Sequence, residues 1–588
     1  MRQDTSSYPL SSVLDEALER ARKLGPRPSG VPREGYLDRA ERIVRMAASW
    51  VDEGGAVVDP WRGDEATYET GRFVGALGGL VGAGRCLDLV ELLERTIRRL
   101  LDFFRREAMG EDVGTALEFH SKELAWAIWN AGKGLSEELV SDVRSVCSSW
   151  DAYRLYRNSL AYRRPSELHN VNTFALAGEA MFRALGLRKD DGFVEKHVPV
   201  HLGRFDELGM YRDPGCPVVY DWVSRLNLHT LLRAGYHGPG SEELKKVLRR
   251  GAMTQLLLHN SQGLAWFGGR SNQFLFNEME LAPICELVAA ELEDPFLAGA
   301  FRRAARISLR ALDRWLDMDP PRHIKNSFHP AVEWGCDSYG PYAVYLLLAA
   351  SLMTFAYHWG TDGPEYPIPS EVLDYTLELG PDFHKLFASF GDMNLQWDLK
   401  ADPHYDATGL GRVLWSDAPP ELVLSAPCPS EPKFSLPSWT RPRALSLSCA
   451  WYEGRDWTRL AESCPEGWEV QRKPRGLRVV YRLRGREVHE EVEVEGNLLR
   501  ITWRVPGASK IRAEVPVIAT DGETSSEVSI SPGGVVVRYR GWTYAVGADG
   551  VEVHLLPGSA ANRNALYRLV ALEAEGDAVA CTLEVRRG

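Results

Sequence analysis

Two periodicities divide the chain. From about Ser11 to Phe390 apolar residues recur at intervals of three and four: Leu14, Ala17, Leu18 and Ala21 share a face, as do Leu89, Leu92, Leu93 and Ile97, and Leu281, Ile284, Cys285 and Val288. That spacing lines one side of a 3.6-residue helix. Ala, Leu, Glu and Arg dominate these segments, and Gly and Pro gather between them, as in Gly25-Pro26-Arg27-Pro28 and Gly238-Pro239-Gly240. The pattern predicts about twelve helices of average length or somewhat longer. No short repeat is visible, so the arrangement that fits is helical hairpins closing into a ring and not a solenoid of near-identical units. The Gly-rich stretch Gly71 to Gly84 reads as a tightly packed helix.

The period changes to two after roughly Asp392. Apolar and polar residues alternate over Gly476 to Leu483, Val488 to Val494, Leu498 to Val505, Gly534 to Tyr539 and Val551 to Leu556. Turn signals separate these runs: Glu495-Gly496-Asn497, Pro532-Gly533-Gly534 and Ala548-Asp549-Gly550. Many short strands so spaced predict an antiparallel β-sandwich. The fold class expected is therefore mainly α plus all-β, with a helical ring over 1–390, a connection over 391–442 that includes the Pro-rich stretch Ala418 to Pro442, and a sandwich over 443–588.

Length and charge narrow the function classes. A chain of 588 residues exceeds one ordinary core. A net charge of −12 argues against a nucleic-acid partner, which would need a basic face, but leaves room for an anionic small substrate held by local Arg clusters. The apolar run around Tyr345 to Thr354 is too short to span a bilayer, so no membrane partner is expected. Met1 to Leu10 carries no apolar core or cleavage site of a secretory leader. Nine cysteines without C-x-x-C spacing suit reduced thiols, and a cytoplasmic location is expected. Homo-oligomerisation is left open.

Polar clusters at segment boundaries are the candidate chemistry, because loops and helix ends build the sites of helical rings. Five stand out: Asp59 to Glu65 leading to Glu69 and Arg72; Glu167 to Asn172, with His169, Asn170 and Asn172; Tyr211 to Gly215 continuing to Tyr220, Asp221, Trp222 and Arg225; Trp266 to Gln273, with Arg270, Asn272 and Gln273, running into Glu278; and His329 to Tyr342, with Glu333, Trp334, Asp337, Tyr339 and Tyr342. Plainer roles exist for several. Asn170 or Asn172 could cap a helix, and Asp221 with Arg225 could be a routine i,i+4 ion pair. No phosphate-binding loop, dinucleotide fingerprint, H-E-x-x-H or Gly-x-Ser-x-Gly elbow is present. The spacing in Asp402-Pro403-His404-Tyr405-Asp406 matches no closed metal site, so neither metal nor cofactor is expected.

The stretch His169-Asn170-Val171-Asn172-Thr173-Phe174 with Gly178-Glu179 and Leu185-Gly186, together with Gly209 to Trp222, Phe267 to Phe274 and Glu333 to Tyr342, resembles in order the motifs of the bacterial family labelled domain of unknown function 2264. The resemblance implies an (α/α)6 toroid of the kind found in uronic-acid-active enzymes, some of them β-glucuronidases. It is also similar, more distantly, to heparinase-type and alginate-type polysaccharide lyases. The chain departs from the family pattern at Asn272-Gln273 and at Val219-Tyr220-Asp221-Trp222.

Two mechanisms follow for an acidic oligo- or polysaccharide. A glycoside hydrolase needs paired carboxyl groups, for which Glu333 and Asp221 are the first choice and Glu278 the next. Arg270, Arg225, Asn172, Asn272, Gln273 and His169 would then hold the sugar, with Trp222 or Trp334 stacked on its face and Tyr342 beside it. A lyase instead needs a neutralised uronate and a Tyr or His to move the α-proton, for which Asn170, His169, Tyr220 and Tyr339 serve. Hydrolysis is the first expectation, β-elimination the alternative, and a non-catalytic carbohydrate-binding protein the third.

Overall fold

The structure is a computed structural model that describes residues 8–65 and 68–588. The leader expectation therefore rests chiefly on Met1 to Ser7, outside the described residues. The chain forms two compact units. One comprises the residues up to Leu256 with Phe274–His323 and Ser338–Pro367; the other comprises Leu257–Gln273, Ile324–Asp337 and Ile368–Gly588.

In the first unit six helices form a closed inner ring. In order around it they are Glu69–Gly82, Leu117–Ala131, Asn170–Ala184, Val219–Arg233, Phe276–Glu291 and Tyr342–Trp359, the last packing back on the first. Outer helices back them: Glu34–Ala47 lies on the Tyr342 helix, Val90–Ala108 on the Glu69 helix, Phe193–Leu202 on the Asn170 helix and Pro295–Ala311 on the Phe276 helix. This is the (α/α)6 toroid. Inner and outer helices differ in sequence because they differ in surroundings. The outer Ser11–Leu24 helix buries Leu14, Ala17, Leu18 and Ala21 and leaves the rest to water, whereas the inner Phe276 helix is buried from Phe276 through Ala289. A helix packed on all sides buries the residues off its apolar face as well.

The inner helices run parallel. Built Cβ atoms on Gly71, Gly75, Gly78 and Gly82 would meet His120, Glu123, Ala127 and Asn130 in turn, all closer than 3.0 Å, and one on Gly79 would lie 2.2 Å from Thr354 Oγ1. Both registers ascend together, so the glycines let two neighbouring helices close on the Glu69 helix. The Tyr342 helix reaches 18 residues with a mean hydropathy of 1.2, longer than the apolar run read from sequence, but 89% of it is buried inside the unit. Among the described residues it is the one helix that meets the length and composition of a membrane span.

The second unit holds three antiparallel sheets. Four strands, Tyr375–Leu379, Lys385–Phe390, Met393–Asp398 and Gly409–Trp415, form a meander. Eight strands form a sheet whose centre pairs Ala578–Arg587 with Leu498–Arg504 and Leu498–Arg504 with Arg486–Glu495. A further sheet is built on Leu566–Glu575, Lys510–Thr520 and Ser448–Tyr452. All three contribute to one core that includes Trp397, Trp451, Trp503, Tyr481 and Tyr567. The runs Gly476–Leu483 and Gly534–Tyr539 are strands with the bounds that their alternation predicts.

β structure begins earlier than the alternation suggested. The meander starts at Tyr375, inside the stretch assigned to helices, and continues through part of the expected connection. Its strands Lys385–Phe390, Met393–Asp398 and Gly409–Trp415 are buried on both faces, which removes the period-two signal. Two loops read as helical-ring loops also belong to this unit. Gln396 Nε2 donates to Phe267 O at 2.7 Å and Arg412 Nη1 to Ala265 O at 2.7 Å. Asn326 Nδ2 donates to Arg563 O at 2.7 Å.

Candidate active site

Parallel inner helices place all six of their N-termini at one end of the ring, and the residues that open them are polar. Tyr68 and Glu69 open the first helix, Glu118 and His120 lie in the first turn of the second, His169 and Asn170 start the third, and Tyr220 the fourth. Glu278 follows in the fifth, and Tyr339 precedes the sixth. This mouth draws on clusters that lie far apart in sequence, and unpaired helix N–H groups favour negative charge there.

Asn170 is fixed by Asp213, whose Oδ1 accepts its backbone N–H at 2.6 Å and its Nδ2 at 3.3 Å. Tyr220 and His169 are half-buried. Behind them Tyr211 OH lies 2.8 Å from His201 Nδ1, and burial holds that imidazole neutral, with its pKa down at about 3. Tyr162 stacks on His197 with centroids 3.8 Å apart. Three residues that sequence reasoning passed over share the mouth. Tyr68 packs on Phe119 at 4.4 Å, and burial raises its pKa against the pull of Arg72, with Glu118 and Tyr220 also acting on it. Glu118 accepts Asn158 N and Nδ2 at 2.8 and 2.9 Å through one oxygen; its other oxygen is buried with no hydrogen-bond partner, and burial raises its pKa. His120 Nε2 lies 3.2 Å from Thr115 Oγ1. The signal that could have found them is position alone, since each sits at the start of an inner helix.

Below the mouth the ring is filled. Arg72 pairs with Glu123, Ser351 Oγ donates to Glu123 Oε2 at 2.6 Å, and Lys122 lies 5.1 and 4.8 Å from the ring centroids of Phe174 and Phe355. Burial lowers the Lys122 pKa and raises that of Glu280, each opposed by the other's charge. Two cations and two carboxylates balance one another, so the mouth has a floor and the ring is no channel.

Several sequence assignments are corrected here. Asp221 is fully buried, and its carboxylate accepts Tyr211 N at 2.6 Å, Arg225 Nη2 and Nε at 2.7 and 3.2 Å, and Gln255 Nε2 at 2.8 Å. Arg225, equally buried, also donates to Leu248 O at 2.9 Å and to Gly209 O. This pair locks a loop to two helices and leaves no oxygen for a substrate, so neither residue acts on one. Trp222 is fully buried and presents no face to a sugar. Asn172 is a helix cap, accepting His169 N at 3.2 Å and donating to Asn158 O at 2.8 Å. Tyr342 is buried, with its hydroxyl on Pro321 O at 2.9 Å. Glu278 is buried in the ring.

The remaining candidates belong to the second unit. Its loop 266–273 is tightly wound, with Ser271 and Gln273 at φ 58° and 69° and Gly268 and Gly269 also at positive φ. Non-glycine residues in that region are strained and persist only where neighbours hold them. Gly269 N donates to Asp406 Oδ2 at 2.8 Å, Ser271 Oγ to Asp337 Oδ2 at 3.0 Å, and Lys325 N to Gln273 O at 3.0 Å. Asp337 is held from its other side by Arg563 Nη2 at 2.7 Å. Asn272 is buried and donates to Gly269 O, so it braces the loop, whereas Gln273 is buried with its Nε2 lacking a hydrogen-bond partner. Arg270 is half-buried, as is Glu333, which stands at φ 53°. Trp334 is buried flat against Phe328 at 3.9 Å with Nε1 on Asn562 O at 3.0 Å, so it is core and not a sugar platform. Asp406 is 3.6 Å from Lys385, which also donates to Asp398 at 2.5 Å; burial raises Asp406 to about 6.

Two solved structures share the fold over nearly the whole chain. Streptomyces coelicolor A3 chondroitin AC lyase in complex with chondroitin sulphate aligns at 10% identity over 97% of this chain and 82% of that one, with a TM-score of 0.51. Heparinase III aligns at 10% identity over 99% and 92%, with a TM-score of 0.50. Identity so low establishes the architecture, a helical toroid with antiparallel sheets, and nothing finer. No family model matches the chain, so the resemblance to domain of unknown function 2264 is not matched at that level, and no curated protein matches it in sequence.

Proposed function

We propose that the protein is a carbohydrate-active enzyme that cleaves a uronate-containing polysaccharide or oligosaccharide by β-elimination at the N-terminal mouth of its ring. The observation that carries this reading is the contrast between Asp221 and Tyr220. The carboxylate expected to act as a hydrolytic acid has every acceptor position taken, while the adjacent Tyr220 is half-buried at the mouth with His169 and the anchored Asn170 starting the neighbouring helix. Elimination needs no second carboxylate. Asn170, with the helix N-termini around it, polarises the uronate carboxylate and makes the C5 proton acidic. Tyr220 as phenolate takes that proton, the electron pair forms the C4–C5 double bond, and the C4–O bond breaks. The leaving oxygen recovers a proton from the same phenol or from His169. The fold shared with a chondroitin lyase and heparinase III supports the acidic-polysaccharide class. Nine free thiols, eight of them at least partly buried, support a reducing cytoplasmic compartment.

The test is incubation with chondroitin sulphate, heparan and alginate oligosaccharides, following ultraviolet absorbance of the new double bond beside released reducing ends. Absorbance that Tyr220→Phe abolishes, with unfolding unchanged, is the expected result. Reducing ends without absorbance would overturn elimination in favour of hydrolysis and return attention to Glu333.

A further inference from the structure

The far end of the ring, where the inner helices finish, carries two adjoining cavities. One, of about 170 Å³, is lined by Trp126, Trp129, Trp359, His358, Asn130 and Arg233 among others. The other, of about 370 Å³, lies where the Val219, Ser241 and Phe276 helices meet and is lined by His229, Arg233, Lys245, Arg249 and Glu291 with two aliphatic residues. Arg233 lines both, so the two cavities are neighbours.

The chemistry of this site is that of an anionic sugar. Trp129 is 42% exposed, and Trp126 and Trp359, which line the same cavity, stand edge to face with centroids 6.2 Å apart. Aromatic faces of this kind suit the apolar C–H faces of a pyranose. Lys245 is engaged by Glu242 at 2.6 Å, but among the described residues neither Arg233 nor Arg249 lies within ion-pairing distance of a carboxylate. Arg45, Arg85 and Arg183, by contrast, are each paired with carboxylates. At the wall of the basic cavity His229 is 94% buried, and its Nε2 has no hydrogen-bond partner. Leaving such an atom unmatched is costly, and a ligand oxygen would satisfy it. Glu291 faces the same cations and offsets one of them. Arg233 ends the Val219 helix and Arg249 lies midway along the Ser241–Leu258 helix, so a ligand that brings strong acceptors to both guanidinium groups spans the gap between two helices.

We propose that this end of the ring is a second saccharide-binding site, in which Trp129 supports one sugar ring while Arg233, Arg249 and His229 grip the sulfate or carboxylate of the next. The proposal takes its acidic-saccharide class from the function proposed above, but the site is distinct from the mouth and would hold polymer without cleaving it.

The test uses the full chain carrying Tyr220→Phe, titrated calorimetrically with a chondroitin sulphate oligosaccharide, with inorganic sulfate and a neutral oligosaccharide as separate arms. In that background Arg233→Gln and Arg249→Gln, each alone, should lower the affinity of one of two binding events about tenfold, the worth of one charge-assisted contact. Trp129→Ala should do the same. In chains with Tyr220 intact these substitutions should leave turnover of a short substrate unchanged. Oligosaccharide binding indifferent to all three substitutions would overturn the proposal. So would Arg-dependent binding of sulfate with no effect of Trp129→Ala, which would mark a simple anion site. Persistent turnover in Tyr220→Phe would refute the elimination mechanism alone, because the Trp129-dependent event is read separately.

Discussion

Replacing Asp221 with Asn separates a structural carboxylate from a catalytic one. The carboxylate accepts four hydrogen bonds, two of them from Arg225, and neither side chain has any exposed surface. The amide keeps one acceptor for Tyr211 N but turns an NH2 group towards Arg225 or Gln255, so Arg225 becomes a buried charge without a counter-charge. Breaking a buried pair in this way costs about 3–5 kcal/mol. That is a large part of the stability of an ordinary domain. Asp221→Asn should therefore lower the urea midpoint of the helical signal strongly, and activity should fall only in proportion to the folded fraction. Adding Arg225→Leu should recover part of the loss by removing the stranded charge; recovery stays partial because Leu248 O and Gly209 O lose their donor. The assay is equilibrium unfolding followed by far-ultraviolet circular dichroism, with activity normalised to folded protein. A stable Asp221→Asn variant with no activity would refute the reasoning and make Asp221 a reacting group after all.

Other consequences are equally direct. Gly79→Ala would gain about 1 kcal/mol of helix propensity, yet its Cβ would stand 2.2 Å from Thr354 Oγ1 and 2.5 Å from Thr354 Cβ. Overpacking should prevail, with a net loss of about 1–3 kcal/mol visible as a lower thermal midpoint; a raised midpoint would show that the Tyr342 helix can yield. Glu490 is buried between Trp397 Nε1 at 2.9 Å and Tyr481 OH at 3.1 Å, and burial raises its pKa from 4.5 to about 7. Because the folded pKa is the higher one, the stabilisation is complete below about 4.5 and is lost as pH rises through 7. The second unit should thus be less stable at pH 8 than at pH 5, and Glu490→Gln should flatten that slope; an unchanged slope in the variant would refute the assignment. Ser271→Ala should loosen loop 266–273 by freeing it from Asp337, seen as faster amide exchange of that loop, and unchanged exchange would show that Gly269 and Asp406 suffice to hold it.

How much could be read from the chain depended on how each element is buried. One-sided burial leaves a period, and the outer helix at Ser11–Leu24 and the alternating strand Gly476–Leu483 were legible for that reason. Burial on all sides hides it: the face of Leu281, Ile284, Cys285 and Val288 gave no sign that the rest of the Phe276 helix is buried too, and the doubly buried strands from Lys385 to Trp415 passed for helix and linker. The loop clusters were legible as polar islands between apolar segments. Their roles were not, because Asp221, Trp222 and Trp334 look the same in sequence whether they meet a ligand or a neighbouring side chain.

The sequence by itself determined a helical half followed by a β half and placed polar clusters at segment boundaries, because composition and period are local properties of a chain. Only the tertiary structure decided that loops 257–273 and 324–337 join the β unit, that Asp221 is sealed while Tyr220 stands at the mouth, and that Tyr68, Glu118 and His120 share that mouth. Those outcomes rest on which surfaces exclude water and on which hydrogen bonds are completed across long separations in the chain, and both are fixed only when the ring closes and the sheets pack.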